Sequence, residues 1–156
     1  MTLQLQIIEE TKKAAAEAFK YILAVPEDKA DWKPLDQGRS VLSIAQELAK
    51  CPDWASEILT TGWNTDEAAM AQQQEEMGSW TTTAECEKQC MSKLEKYYAV
   101  LASISDSDLE KTQFLPFDGG RDFTYAEMMS YPRWNFNWHA GQVAYIQTLY
   151  GDNEMH

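Results

Sequence analysis

The chain has 156 residues, 44% of them hydrophobic, which suits one compact domain spanning residues 1–156 and does not indicate two. Its 25 acidic against 13 basic residues give a formal net charge of −12, which argues against binding to nucleic acids and to anionic membrane surfaces. The first ten residues mix polar and apolar side chains without a basic lead or an apolar run, so neither a signal peptide nor a membrane span is predicted. We therefore expect a cytoplasmic protein.

The first predicted element is a helix from Leu3 to Leu23, because apolar residues recur there at three- and four-residue spacing. Pro26 must follow its end, since a proline restricts the residue before it and has no N–H to donate. Residues 26–39 are predicted to be a loop. Its Trp32 is expected to cover one end of the core, because an indole buries a large area.

Ser40 has the side chain of a helix N-cap, and a second helix is predicted from Ser40 to Thr61. Pro52 falls inside it and predicts a kink, unless the helix restarts there. The polar segment from Gly62 to Trp80 is predicted to be a connection with a short helix around Glu67–Gln74.

A third helix is predicted from Thr83 to Ile104, with Cys86 and Cys90 on its inner, apolar stripe. Together with Cys51 these cysteines are odd in number and lack zinc-finger spacing, so we expect reduced, buried thiols.

The last part of the chain combines a turn signal with a long helical pattern. Two short apolar pieces between Phe114 and Phe123 flank an Asp-Gly-Gly turn, which predicts a small hairpin or loop. Thr124 and Glu127 have the spacing of a capping box, so a fourth helix is predicted from Thr124 to Tyr150, closed by Gly151 and kinked at Pro132. The four long helices predict an all-α, four-helix bundle with a short hairpin or loop before the last helix.

The last helix carries the one polar face that suggests chemistry. Asn135, His139 and Gln142 project to the same side as Tyr131 and Tyr145. If this face is internal, each polar group needs a hydrogen bond or a metal.

The other sides of this helix are apolar, with Trp134, Phe136 and Trp138 in succession. Such a helix is typically central in the fold or paired with another subunit, so a homodimer is expected. Gly141 in mid-helix predicts that another backbone approaches closely and that packing around His139 is tight.

The order of several short motifs resembles that of the DinB-like family of four-helix-bundle metalloenzymes. In the last helix the matching segments are Thr124–Met129, Asn135, His139–Gln142 and Leu149–Gly151. Earlier in the chain they are Asp31–Pro34, Ser40–Val41, Glu47–Ala49 and Trp54, so the resemblance covers essentially the whole chain.

The resemblance implies a divalent-metal site at Glu47, Asn135 and His139, where the family typically has three histidines. A register shift of three on the second helix would place Lys50 there instead of Glu47. A carboxylate, an amide oxygen and one imidazole suit Mn, Mg or Zn, with weaker affinity than three histidines. The resemblance also implies metal-dependent transfer of low-molecular-weight thiols or a related hydrolysis.

Other interpretations keep the same residues without a metal. In one of them, Glu47 accepts a hydrogen bond from His139 and Asn135 bridges the two, giving a metal-free core cluster. Our leading hypothesis is a degenerate metal site in a small-molecule-binding or stress-associated protein, and the alternatives are a metal-dependent enzyme and a purely structural dimer. The expected ligand pocket is lined by Trp32, Tyr131, Trp138, Gln142 and Tyr145. Arg121 and Arg133 are expected to pair with surface acids.

Overall fold

The computed structural model describes residues 1–156 and has four long helices. They are α1 (Leu3–Ala24), α2 (Val41–Thr60), α4 (Thr83–Ser103) and α6 (Tyr131–Leu149), with the shorter α3 (Glu67–Ser79) and α5 (Tyr125–Met128) between them. An antiparallel hairpin of β1 (Thr112–Leu115) and β2 (Arg121–Thr124) precedes α5. The predicted all-α bundle with a short hairpin before the last helix is thus confirmed. No helix combines the length and apolarity that crossing a membrane requires.

Helix starts follow the capping residues in the sequence. The side chains of Thr2, Ser40, Asp66, Thr82 and Thr124 each accept a hydrogen bond from a backbone N–H in the first turn. The capping box between Thr124 and Glu127 is present in both directions, as predicted. These caps set the starts of α1 to α5, whereas Ser130 before α6 makes no capping hydrogen bond.

The bundle packs as two helix pairs. α2 lies mainly against α4, and α1 lies mainly against α6. α2 also meets α6 along a shorter seam. The core between the pairs is apolar, and its largest fully buried side chains include Phe19, Ile22, Leu48, Tyr97 and Phe136. The α2–α6 seam is one of the places where polar residues are buried.

Helix α2 continues through Pro52 without a break. A proline cannot donate to the carbonyl four residues earlier, which here is that of Leu48. The Cys90 thiol of α4 lies 3.4 Å from that carbonyl oxygen and donates to it. A neighbouring helix therefore supplies the missing donor.

The prediction of one helix from Thr124 to Tyr150 is wrong, because the chain forms two. α5 ends at Met128, and α6 begins at Tyr131 with Pro132 in its first turn. Pro132 is tolerated there because first-turn N–H groups have no partner within the helix. The proline starts a new helix instead of kinking the old one.

Gly141 also differs from expectation. A Cβ atom built at this position meets nothing within 4 Å, so no backbone of the same chain approaches it. The predicted close approach at Gly141 is therefore wrong within one protomer. Trp32, by contrast, is half-buried against the core and meets the Tyr150 ring edge-on at 6.1 Å between centroids.

Helix α3 extends to Ser79, beyond the predicted Glu67–Gln74, and charged groups attach it to the bundle. Of its residues only Met77 is buried. Lys50 and Lys93 are 7% and 8% exposed, and the ammonium group of each contacts both Asp53 and Glu76 at 2.5–3.0 Å. Lys50 thus belongs to this network and not to the polar face of α6.

Candidate functional site

The α2–α6 seam holds a cluster of buried polar side chains. His139 Nε2 lies 2.9 Å from Glu47 Oε1, and Asn135 Nδ2 lies 3.5 Å from the same oxygen. Asn135 and His139 are 2% and 4% exposed. The structure therefore brings together the three residues to which the resemblance assigned a metal, and Glu47 rather than Lys50 takes the α2 position.

Arg39 completes this cluster from the loop before α2. Its Nη1 lies 2.5 Å from Glu47 Oε2, and its Nη2 donates to the Ser43 carbonyl at 2.9 Å. Sequence reasoning missed Arg39, because nothing in the sequence shows that the loop folds back over the second turn of α2. One carboxylate oxygen thus faces His139 and Asn135, and the other faces a guanidinium.

The pKa of the Glu47 carboxyl reflects this arrangement. Burial, the largest single influence, raises the pKa, but the hydrogen bonds and positive charges of His139 and Arg39 outweigh it and bring the pKa to about 2. Glu47 is therefore an anion at neutral pH.

The second ring nitrogen of His139 is also engaged. Its Nδ1 lies 2.6 Å from Gln142 Oε1, so both ring nitrogens face oxygen atoms. The imidazole is therefore held between Gln142 and Glu47, one at each ring nitrogen. The side chains of Arg39, Glu47, His139 and Gln142 thus contact one another in a continuous chain.

Cys51 and Tyr131 extend the seam one turn beyond Glu47 and Asn135. The Cys51 thiol is fully buried, and burial raises its pKa to about 12 despite a hydrogen bond with Asn135. Burial likewise raises the pKa of the Tyr131 hydroxyl. Neither group is ionised at neutral pH, so the seam contains no activated thiolate or phenolate.

The donor set does not fit a tightly held divalent ion. No three side chains among His, Cys, Asp and Glu converge anywhere in the fold. At the seam, the one carboxylate is already paired with Arg39, and the one imidazole is hydrogen-bonded on both sides. A second cation beside the guanidinium would be repelled by it.

A large cavity continues from the seam toward the hairpin. Its volume is about 710 Å³, and nine of its thirteen lining residues are hydrophobic. It is bounded by the second half of α2, the hairpin, α5 and the start of α6. The lining side chains are Trp54, Ile58, Trp63, Leu115, Phe117, Asp118, Arg121, Phe123, Glu127, Met128, Ser130, Tyr131 and Trp134. Tyr131 lies between this cavity and the polar cluster.

The charged residues at the cavity rim are paired with one another. Arg121 lies over the Phe123 ring at 3.6 Å and contacts Asp118 and Glu127 at 3.6 and 3.0 Å. Arg133, outside the cavity, pairs with Glu10. Both arginines thus meet acidic partners, as expected from the sequence.

The five residues expected to form the pocket do not line one cavity. Tyr131 lines the large one, whereas Gln142 and Tyr145 line a shallow depression of about 190 Å³ next to Arg39. Trp138 borders another surface depression, and Trp32 packs on Tyr150. Sequence reasoning missed the large cavity because two of its walls come from the hairpin and from the loop after α2, which helical periodicity does not describe.

Solved structures with this fold place the chain among known bundles. YfiT from Bacillus subtilis, described as a probable metal-dependent hydrolase with an unusual four-helix bundle topology, superposes with a TM-score of 0.74 at 14% identity, covering 95% of this chain and 87% of YfiT. A conserved protein from Enterococcus faecalis gives a TM-score of 0.66 at 15% identity over 96% of this chain and 97% of its own. No family model and no curated protein matches the sequence. The chain therefore has the four-helix-bundle fold that its resemblance to the DinB-like family predicted.

Proposed function

We propose that this protein binds a small, uncharged, mainly apolar or aromatic molecule in the cavity between α2, the hairpin and the start of α6. The observation that carries the proposal is the cavity itself. Its volume of about 710 Å³ lies within the range of small-molecule sites, and its walls are mainly hydrophobic. Aromatic walls offer large contact areas and stacking geometry to a flat ligand.

The charges at the rim argue for an uncharged ligand. Arg121 is paired with Asp118 and Glu127, so it has no unpaired positive charge to offer an anion. Ser130 and Tyr131 also line the cavity, and each carries a hydroxyl group. We expect a ligand with one or two hydrogen-bonding groups on an apolar body.

In this proposal the polar cluster supports the ligand site and does not perform catalysis. Glu47 and His139 join α2 to α6, and Asn135 and Tyr131 follow on the same face of α6 toward the cavity. The Arg39 guanidinium neutralises the carboxylate from outside. The cluster therefore stabilises the wall of the cavity without requiring a metal.

A second candidate is metal-dependent hydrolysis or group transfer through Glu47, Asn135 and His139. The shared fold with YfiT, described as a probable metal-dependent hydrolase, supports it. It requires an ion of the Mn, Mg or Zn type to compete with Arg39 for the carboxylate. Elemental analysis of protein purified without chelators, before and after dialysis against each ion, tests this candidate.

Titration with the neutral fluorescent probe N-phenyl-1-naphthylamine tests the leading proposal. The Ser130→Trp variant should fill the cavity with an indole, and the Ser130 side chain makes no capping hydrogen bond that would be lost. Ser92→Trp is the control, because it places the same indole on the exposed face of α4. We expect saturable enhancement of probe fluorescence with the wild type and with Ser92→Trp, and at least about tenfold weaker binding with Ser130→Trp.

Circular dichroism spectra and melting temperatures establish that both variants are folded. Equal probe binding by folded Ser130→Trp and wild type would contradict the assignment of the cavity. Absence of saturable binding by the wild type, tested also with neutral aromatic molecules of different size, would contradict the proposed function itself.

A further inference from the structure

The outer face of α6 is exposed although it is apolar. Trp134 and Trp138 are each 56% exposed, Tyr145 is 66% exposed and Leu149 is 48% exposed. With Gly141, which is also exposed, these residues fall within an arc of about 80° on the helix. We call this set the outer stripe. Its members are exposed whereas Asn135 and His139 are buried, and of the five only Trp134 also lines the large cavity.

The spacing of the outer stripe is symmetric about its middle. Trp138 and Tyr145 lie at equal distances from the point between residues 141 and 142, and so do Trp134 and Leu149. Two copies of α6 that cross in antiparallel orientation at this point would place Trp138 against the partner's Tyr145. They would likewise place Trp134 against the partner's Leu149. Such self-complementarity is what a two-fold symmetric interface requires.

Gly141 fits the centre of this arrangement. A glycine in mid-helix lowers helix stability, and its own protomer gives it no packing reason, because a Cβ there meets nothing within 4 Å. Next to the proposed two-fold axis, the missing side chain lets two helix backbones approach closely.

The charge pattern also favours a second copy at this face. Although the chain carries 25 acidic residues, none lies between Glu127 and Asp152. The only Lys or Arg residue of α6 is Arg133, which is paired with Glu10. The helix is therefore nearly free of charge in a strongly acidic protein, and aromatic residues without charge are typical of interface centres.

We propose that the protein forms a homodimer by antiparallel crossing of two outer stripes, with Gly141 of each copy at the crossing point. The four exposed side chains offer roughly 500 Å² per protomer, against about 800 Å² in a standard interface. The polar residues flanking the stripe supply the remainder. With 12 net negative charges on each copy, repulsion opposes association and is screened by salt, so added salt should strengthen the dimer.

Sedimentation equilibrium of the full chain tests the proposal. We expect a concentration-dependent mass approaching twice 17.8 kDa, with a larger dimer fraction at about 0.5 M than at about 0.05 M NaCl. Trp138→Glu should raise the dimer dissociation constant at least about tenfold. Leu5→Glu, at a comparably exposed apolar residue of α1 outside the stripe, should leave it unchanged.

Gly141→Leu distinguishes a close helix crossing from non-specific hydrophobic association. The protomer has room for the new side chain, so folding should be unaffected. A close crossing predicts that leucine weakens the dimer, whereas non-specific association through an apolar patch predicts that it strengthens it.

Cross-linking tests the antiparallel orientation. Trp138→Cys and Tyr145→Cys proteins should form a disulfide with each other when mixed, and neither should form one alone. The native cysteines are buried and leave these reactions undisturbed. A protein that stays monomeric at all concentrations up to about 0.5 mM would overturn the proposal. Disulfide formation between two Trp138→Cys copies would contradict the antiparallel orientation. Stronger association of Gly141→Leu, or a dimer unaffected by Trp138→Glu, would contradict the proposed contact surface. None of these outcomes depends on whether the cavity binds a ligand.

Discussion

Glu47 Oε1 on α2 lies 2.9 Å from His139 Nε2 on α6, at the place where the resemblance to the DinB-like family implies a metal. Both residues are contributed by helices whose buried side chains are mainly apolar. The second carboxylate oxygen is held by Arg39 at 2.5 Å. The pair therefore satisfies its buried charge with protein groups alone, and its contribution to stability should depend on pH.

Acidification should weaken the fold through Glu47. Its pKa is about 2 in the folded state against an ordinary value of 4.5, so the folded state favours the carboxylate. The resulting stabilisation is fully present above about pH 4.5 and is lost as the pH falls to about 2, and it amounts to at most about 3 kcal/mol. Chemical denaturation of the wild type and Glu47→Gln across this range should show a difference that shrinks with falling pH. Glu17→Gln, at an exposed glutamate on α1, should give no such trend.

Measurable affinity for Zn²⁺ should appear only when the carboxylate is freed and a second imidazole is added. The wild type should retain less than about 0.1 equivalent of Zn²⁺, because Arg39 already pairs with the one carboxylate and the seam offers only one imidazole. Combining Arg39→Gln with Asn135→His frees the carboxylate and adds a second imidazole four residues before His139. This double variant should bind Zn²⁺ at least about a hundredfold more tightly than the wild type. Stoichiometric metal in the wild type would contradict the metal-free interpretation.

Helix α3 should depend on its charged attachment. Glu76→Gln removes one of the two carboxylates shared by the buried Lys50 and Lys93. We expect a loss of about 1–3 kcal/mol of unfolding free energy at neutral pH, because two ammonium groups would then share Asp53. Glu75→Gln changes the neighbouring residue, which is exposed, and is the matched control. Equal unfolding midpoints in urea for the two variants would show that the network contributes nothing.

The three cysteines should be inert in the native protein. Burial raises the pKa of both Cys51 and Cys86 to about 12 and raises that of Cys90 as well. Since the thiolate is the reactive form, Ellman's reagent should label none of them within minutes at neutral pH and all three after denaturation. Rapid labelling of Cys51 in the folded protein would instead indicate an accessible, activated thiol at the seam.

Helical periodicity and caps allow the bundle to be predicted, because they depend on local sequence. Ser40 and Thr124 start their helices as predicted, and Gly151 closes the last one with a positive φ of 98°. The prediction of one continuous last helix was wrong at Pro132, because a proline that ends one helix can equally begin the next. Distinguishing these requires knowing where Met129 and Ser130 lie in three dimensions.

Only part of the candidate site could be predicted from the sequence. Glu47, Asn135 and His139 could be chosen because helical spacing fixes which face each occupies. Arg39 and the cavity could not, since a loop and a hairpin position them through long-range packing. Trp63 illustrates this, because its ring meets Phe117 at 4.8 Å although the two residues are far apart in the sequence.

The most direct test of the cavity as a ligand site uses the six tryptophan indole N–H signals in a ¹⁵N–¹H NMR spectrum. Trp54, Trp63 and Trp134 line the cavity, whereas Trp32 and Trp80 lie elsewhere. Addition of N-phenyl-1-naphthylamine should shift the three cavity signals along one saturation curve and leave the signals of Trp32 and Trp80 in place. Unchanged cavity signals, or shifts confined to Trp32 and Trp80, would contradict the proposal that this cavity binds the ligand.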